Sequence, residues 1–322
     1  MEETLFSIKN LEVSFAKNKV LKGINFNIKK GEILGIIGKS GSGKSTILKS
    51  ISNIIKHYKG KIKFNKNLVG GKAWNKITGF SFQPFSFYEK LSMKDNLIYF
   101  GKIYGLEKEI IIKRAKNLFK LTDLNIDKID TECSKLSGGM KKRFDIVCSL
   151  LHNPKILLLD EPTAGLDPLR RKQIIRIIQR INNTHVTIIL TSHNMLDIER
   201  LCTRVLLIDK GKKLILDTPK NIKRGLLEHE EIIIESYPGK YDKIINYLTS
   251  FRILYCKKQG KCLHIFSPET EILVHFILHL LEKEDELLEN IIIKDADLEE
   301  VFNIYEKGDR EKILKDNINK IN

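Results

Sequence analysis

The chain has 322 residues, enough for one large domain and a smaller one with buried cores of their own. Its 56 Lys+Arg outweigh 40 Asp+Glu for a net charge of +16, and residues 221–322 hold 15 basic against 20 acidic residues, so the basic excess belongs to the first 220. No apolar run approaches the roughly 20 residues of a membrane span, the start MEETLFSIKN has no basic-then-apolar leader pattern, and five scattered cysteines form no C-x-x-C pair. The chain is therefore expected to be soluble and cytosolic, with reduced cysteines and no zinc. A basic surface suits a nucleotide, a nucleic acid or an anionic membrane, and charge alone does not choose among them.

In chain order, residues 5–38 alternate and then run apolar through FSIKNLEVSF, LKGINFNI and EILGIIG, which predicts two half-buried strands and a buried one that feeds a glycine-rich loop. STILKSISNII then places Ile47, Ile51, Ile54 and Ile55 on one face of a helix. Trp74, the sole tryptophan, falls in the polar stretch GGKAWNKITG and reads as a packing residue. Residues 84–150 read as helical, with no convincing buried strand, and predict a helical subdomain inserted in the core. KILLLD (155–160) and HVTIILTS (185–192) have the short apolar form of strands buried in a parallel sheet, with the isoleucine-striped helix LRRKQIIRIIQRI between them. Strands alternating with helices predict an α/β core.

Around Pro219 the pattern resets. EIIIES, KYDKIINYLTS, FRILYCKK, KCLHIFS, ETEILVHFILHLLEKE and ENIIIKD predict strand, helix, strand, strand, helix, strand, the order of a small ferredoxin-like α+β domain. The expected division is 1–220, then 221–308 ending in a helix DLEEVFNIY, then a charged tail over 309–322. His275 and His279 lie four residues apart, but with Glu271 and Glu282 they read as the polar stripe of one helix, with no third ligand evident.

The chemistry concentrates in the first 220 residues. Gly38, Gly43, Lys44 and Ser45 fit G-x-x-x-x-G-K-[ST] between a strand and a helix, the context of a P-loop. The backbone N–H groups of such a loop hold phosphate oxygens, its lysine reaches the β and γ phosphates, and its Ser45 hydroxyl ligates Mg²⁺. This predicts binding of a nucleoside triphosphate by Gly38, Lys39, Ser40, Gly41, Ser42, Gly43, Lys44, Ser45 and Thr46. At the end of KILLLDEP, Asp160 is expected at the metal and Glu161 beside the attacking water, the two pointing to opposite sides of a strand end. His193, just past a strand at the sheet's carboxyl edge, can meet the γ-phosphate, although a lone histidine there is equally a surface or core residue. Gln83, in FSFQP, is a similar case.

GKSGSGKST, Gln83, LSGGM (136–140), ILLLDEP, AGLD (164–167) and His193 occur in the order and spacing of the ATP-binding-cassette (ABC) ATPases, which the chain resembles over about residues 5–220. The resemblance implies that two copies pack head to tail. ATP would then lie between one copy's P-loop and Ser137, Gly138 and Gly139 of the other. It implies that Phe15 stacks on adenine in place of the usual tyrosine, that Gln83 touches Mg²⁺ and the attacking water, and that Asp167 sits at the dimer interface. Met140 followed by KKR, the stretch FYEKLSMKDNLIYFGKIYGL and a small domain closing on DLEEVF resemble the exporter branch, whose ATPase is separate from its membrane subunits. The implied function is ATP hydrolysis driving transport, with ATP and Mg²⁺ as cofactors. The implied location is the cytoplasmic face of the membrane, reached through a permease. The alternative is a non-transport cassette acting on nucleic acid or ribosomes; it would carry long coiled coils or a second cassette, which this chain lacks, so no nucleic-acid partner is expected.

Overall fold

The structure, a computed structural model, describes residues 3–65, 74–82, 84–224, 230–248, 251, 253, 255–267 and 269–295. The expected helix DLEEVFNIY and the charged tail lie outside the described residues, as does Gln83. By contact the chain divides into two compact units, Met1–Thr218 and Pro219–Asn322.

In the first unit, β1 (Thr4–Phe15) and β2 (Asn18–Lys29) form a hairpin of two alternating strands. β3 (Ile33–Ile37) follows with all five residues buried, and leads through the glycine-rich loop into α1 (Lys44–Ile51). α1 stops at Ile51: Asn53 has φ +62°, and Ile54 is 52% exposed, off the isoleucine face that the spacing predicted. β4 (Lys59–Phe64) joins β1 to complete an antiparallel sheet of order β2-β1-β4. Trp74 opens a short helix, α2 (Trp74–Ile77), rather than lying in a loop, and it packs as expected. Its indole stacks on Phe64 at 3.8 Å, meets Phe6 edge-on at 5.9 Å, and donates its N–H to the Ile51 carbonyl.

β5 (Thr78–Ser81) leads into the helical layer of α3 (Met93–Ile103), α4 (Lys108–Leu121) and α5 (Gly138–Leu150). Ser92 caps α3 by accepting from the Asp95 N–H at 3.0 Å, while its own hydroxyl donates to the Asp95 carboxylate at 2.6 Å. The chain returns through β6 (Ile156–Asp160), α6 (Pro168–Asn182), β7 (Thr187–Ser192), α7 (Met195–Leu201), β8 (Arg204–Asp209) and β9 (Lys212–Asp217). The second sheet has the order β5-β6-β7-β3-β8-β9, parallel except for β9. Its central strands are buried along nearly their whole length and mostly Ile and Leu, as strands of a covered parallel sheet are. One apolar core joins the two sheets through Leu11, Ile24, Leu34, Ile47, Leu158 and Leu206, and a separate one fills the helical layer around Met93, Leu97, Phe119 and Phe144.

The second unit begins with α8 (Pro219–Arg224) and continues as β10 (Glu230–Tyr237), α9 (Asp242–Leu248), β11 (Tyr255–Gln259), β12 (Cys262–Ser267), α10 (Thr270–Lys283) and β13 (Leu287–Asp295). The strands pair antiparallel in the order β11-β12-β10-β13, the ferredoxin-like arrangement. Ile232, Ile234, Leu263 and Ile265 of the sheet bury against Ile244, Leu248, Leu273 and Ile277 of α9 and α10, which accounts for the alternation in EIIIES and the stripe in ETEILVHFILHLLEKE. No helix among the described residues is long and apolar enough to cross a membrane.

Phe119 and Phe144 are fully buried and meet edge-on at 6.4 Å, so the helical layer depends on them for its core. Phe119→Ala is expected to lower stability by about 3–5 kcal/mol, read from the urea unfolding midpoint. A loss below about 1 kcal/mol would show that the layer collapses around the cavity or is held by something else.

Candidate active site

The site is built where the carboxyl ends of β3, β6 and β7 stop side by side. Ile37 lies opposite Ser192 and Asp160 opposite Thr191, so the loop after β3, the acid ending β6 and the polar end of β7 share one edge of the sheet. The loop itself depends on two glycines. A Cβ on Gly38 would collide with the Ile208 carbonyl and the Ser42 hydroxyl, and Gly43 holds φ +108° immediately before α1, with Leu21 Cδ2 2.6 Å from where its Cβ would be.

Lys44 is buried. Its ammonium donates to the Gly38 carbonyl at 2.7 Å and the Lys39 carbonyl at 2.9 Å, so the loop wraps its own cation. Burial lowers its pKa, and the carboxylates of Glu161 and Asp160 oppose that shift. Ser45 Oγ donates to Asp160 Oδ1 at 3.1 Å, and Thr191 Oγ1 donates to the same oxygen at 2.6 Å. Thr191 Oγ1 also accepts the Glu161 N–H at 2.9 Å, and the Glu161 carboxylate lies 3.3 Å from His193 Nδ1. Asp160 and Glu161 do diverge, but by a different device from the pleat alternation expected of a strand end. β6 ends at Asp160, and Glu161 turns off it in a left-handed conformation, φ +49°.

Lys44, Ser45, Asp160, Glu161 and His193 are thus brought together, with Lys39, Ser40 and Gly41 on the exposed rim of the loop and Ser42 and Gly43 inside it. Thr46 is half-buried in the first turn of α1. Phe15 ends β1 with half its surface exposed, as a stacking platform must be. Ser137, Gly138 and Gly139 stand elsewhere, at the start of α5. Ser137 caps that helix by accepting from the Met140 N–H at 3.4 Å, and no side chain lies within 4 Å of where a Cβ on Gly138 would sit. Asp167 caps α6 in the same way, from the Arg170 N–H at 3.0 Å, and that bond holds its carboxylate below the usual range.

The residues fit a triphosphate and a hard cation. Ser42 Oγ is buried with no hydrogen-bond partner among the described residues, inside a loop where any side chain at position 38 would fill the space. Ser45 Oγ and Asp160 Oδ1 are adjacent oxygen donors of the kind Mg²⁺ takes.

Sequence reasoning missed two groups. Thr191 holds both acids in place, and its signal was a threonine interrupting the apolar run TIIL at the strand's end. Lys142, in the basic run KKR, donates to the Glu161 carbonyl at 3.3 Å, where the sequence suggested only solvated charge.

A glycine-rich loop feeding a helix, with an acid ending a buried strand two places away in the same parallel sheet, defines a P-loop nucleoside triphosphatase. Comparison narrows this. A family profile described as ABC transporter matches residues 21–164. The chain is 37% identical to the linearmycin resistance ATP-binding protein LnrL of Bacillus subtilis over 68% of its own length and 70% of that protein. It is 32% identical to the methionine import ATP-binding protein MetN of Clostridioides difficile over 91% and 93%. Among solved structures it resembles a dimeric ATP-binding cassette in a post-hydrolysis state bound to ADP and Pi, with TM-score 0.58 and 26% identity, covering 66% of this chain and 98% of that one. The chain belongs to the ABC transporter family and is an ATP-binding, ATP-hydrolysing subunit of that family.

Thr191→Val keeps the shape of the side chain and removes a hydroxyl that serves both acids. It is expected to cost about 1–3 kcal/mol, because the Glu161 N–H loses its acceptor and Asp160 a donor. Chemical denaturation of the two proteins checks this, and equal stability would mean that the site finds other partners.

Proposed function

We propose that this chain is the ATPase of an exporter, working as a head-to-tail homodimer that drives separate membrane subunits from the cytoplasmic face. The observation that carries the reading is the separation of two phosphate-type cradles on one chain. The Lys44 loop would surround one side of a triphosphate, while Ser137 and Gly138 are exposed at the N-terminus of another helix, α5, with Gly139 buried behind them against Arg170. Two copies facing in opposite directions bring each cradle against the other's nucleotide, and the dimeric cassette that the fold resembles supports such pairing. The lean to export rests on the Met140-KKR sequence and on the likeness to a resistance ATP-binding protein; the likeness to an import ATP-binding protein shows that the core itself serves both directions.

In this reading the Lys44 ammonium exchanges the Gly38 and Lys39 carbonyls for phosphate oxygens, and Phe15 stacks on the base. The Ser45 hydroxyl and the Asp160 carboxylate hold Mg²⁺, together with Gln83, and that ion supplies neutralisation of phosphate charge. Glu161 accepts a proton from the attacking water while His193 steadies its carboxylate. The helical subdomain, about residues 84–150, passes closure and reopening of the dimer to the membrane subunits. Residues 221–308 act as an accessory domain and 309–322 as a tail.

Glu161→Gln is expected to lower ATP hydrolysis by about a hundredfold or more while keeping ATP binding, because the hydrogen-bonding shape remains and the base is gone. With ATP this variant should run as a dimer on gel filtration. Adding Ser137→Arg should abolish that dimer and leave nucleotide binding intact. Hydrolysis at the wild-type rate by Glu161→Gln, or by a strictly monomeric preparation, overturns the reading.

A further inference from the structure

Glu161 is held at its N–H, its carboxylate and its carbonyl oxygen, and one of the partners belongs to a different layer of the protein. Its N–H is bound by Thr191 of β7, its carboxylate lies against His193, and its carbonyl oxygen accepts both from the Ala164 N–H of its own turn at 3.2 Å and from Lys142 Nζ at 3.3 Å. The first two partners sit on the same strand and the turn after it. Lys142 comes from α5, the helix that begins at Ser137, and reaches across to the end of β6. Its ammonium also lies over the ring of Phe85 at 5.7 Å, two residues past Gln83.

The contact falls where the backbone needs support. A non-glycine residue at φ +49° crowds its Cβ against its own carbonyl, and such a conformation persists only when its surroundings over-determine it. The N–H bond orients the peptide plane before the Glu161 Cα and the carbonyl bonds orient the plane after it, so between them they set the direction in which the Glu161 side chain leaves the strand. The ammonium is poorly hydrated: burial lowers its pKa, with the carboxylates of Asp145, Glu161 and Asp160 opposing. In such surroundings a charged donor binds a carbonyl more strongly than in water. The helix that carries Lys142 is itself anchored, because Asp145 one turn further along α5 is buried and accepts from the Ser81 hydroxyl and from the Ser86 N–H at 2.9 Å.

We propose that Lys142 is a positioning residue for ATP hydrolysis: by holding the Glu161 carbonyl it fixes the left-handed backbone from which the Glu161 carboxylate is aimed. The inference rests on the reading of Glu161 as the base. It makes the aim of the base depend on where α5 stands, through one side chain. Nothing in it requires Lys142 to touch the nucleotide.

The test is steady-state ATP turnover by the full chain carrying Lys142→Met, which keeps the length and the packing on Phe85 but donates no hydrogen bond. The expected result is a kcat about tenfold lower, the usual consequence of losing one charge-assisted hydrogen bond, with KM for ATP within about twofold of wild type. Lys142→Arg, which restores a donor, should recover kcat to within about threefold. In a Glu161→Gln background Lys142→Met should produce no further drop, since there is no carboxylate left to aim. A wild-type kcat for Lys142→Met overturns the proposal, as does a loss confined to KM, a Lys142→Arg as slow as Lys142→Met, or an undiminished further drop in the Glu161→Gln background. Should Lys142→Met fail to fold, Lys142→Leu is measured and judged by the same outcomes. If Glu161→Gln alone turns over normally, the reading of the base has failed; if it is inactive and Lys142→Met is unimpaired, only this inference has.

Discussion

The parallel register of β3, β6 and β7 is the constraint on which the site depends. β3 and β6 are Ile and Leu apart from Gly35 and the closing Asp160, β7 adds Thr187, Thr191 and Ser192 to an Ile-Ile-Leu centre, and nearly all of these residues are buried, so each residue's level along the sheet is fixed by packing. At that level Asp160 stands opposite Thr191, which is why one hydroxyl can bond the Asp160 carboxylate and accept the Glu161 N–H. A slip of one residue would turn Asp160 away from Ser45 and exchange the side chains that pack on each covered face. The cost of misfitting them, about 1–3 kcal/mol each, holds the acids in place more firmly than any one of their own hydrogen bonds does.

Within that frame the charges offset one another. Lys44 and Lys142 are both buried enough for their ammonium groups to be disfavoured, and both lie near Asp160 and Glu161, whose carboxylates favour them. Two cations facing two anions keep the edge of the sheet close to neutral, so neither pair is left as uncompensated buried charge. Lys44 differs from Lys142 in its partners. Among the described residues its ammonium bonds carbonyls of its own loop, which a phosphate can replace with a better acceptor, whereas Lys142 bonds the carbonyl just past the end of β6 and lies over an aromatic ring.

The parts legible in the sequence are those where periodicity or a motif reports burial directly. The run EILGIIG before GKSGSGKST gave a buried strand feeding a helix, and the alternation after Pro219 gave the order of the second unit's elements. The short strand TGFS was legible only as the strand-to-loop junction expected at Gln83, because four residues with one glycine carry no period and their assignment depends on pairing with β6. The end of α1 was placed too late because Ile54 and Ile55 continue the helical spacing, while the left-handed turn at Asn53 is a tertiary choice. At the site, sequence named residues that the fold brings together at the sheet's edge and passed over those that hold them. Thr191 looked like part of a strand and Lys142 like a surface charge, and only the fold shows that both point at Glu161.

The same limit explains why LSGGMKKRFD is longer in function than its glycines suggest. Small residues at its start leave the N-terminus of α5 open, but a cradle is useful only if it is held in place relative to the rest of the chain. Asp145, nine residues past Leu136, does this through buried bonds to Ser81 and Ser86, which flank the segment containing Gln83. Burial raises its pKa and those donors oppose the shift, so the carboxylate is retained inside the protein by the two ends of one loop. A displacement of that loop therefore cannot leave α5 behind without stranding a buried acid, and with α5 go both Ser137 at its head and Lys142 on its flank. The segment after β5 and the helix that carries Ser137 at its head and Lys142 on its flank are in this way tied together through one buried carboxylate.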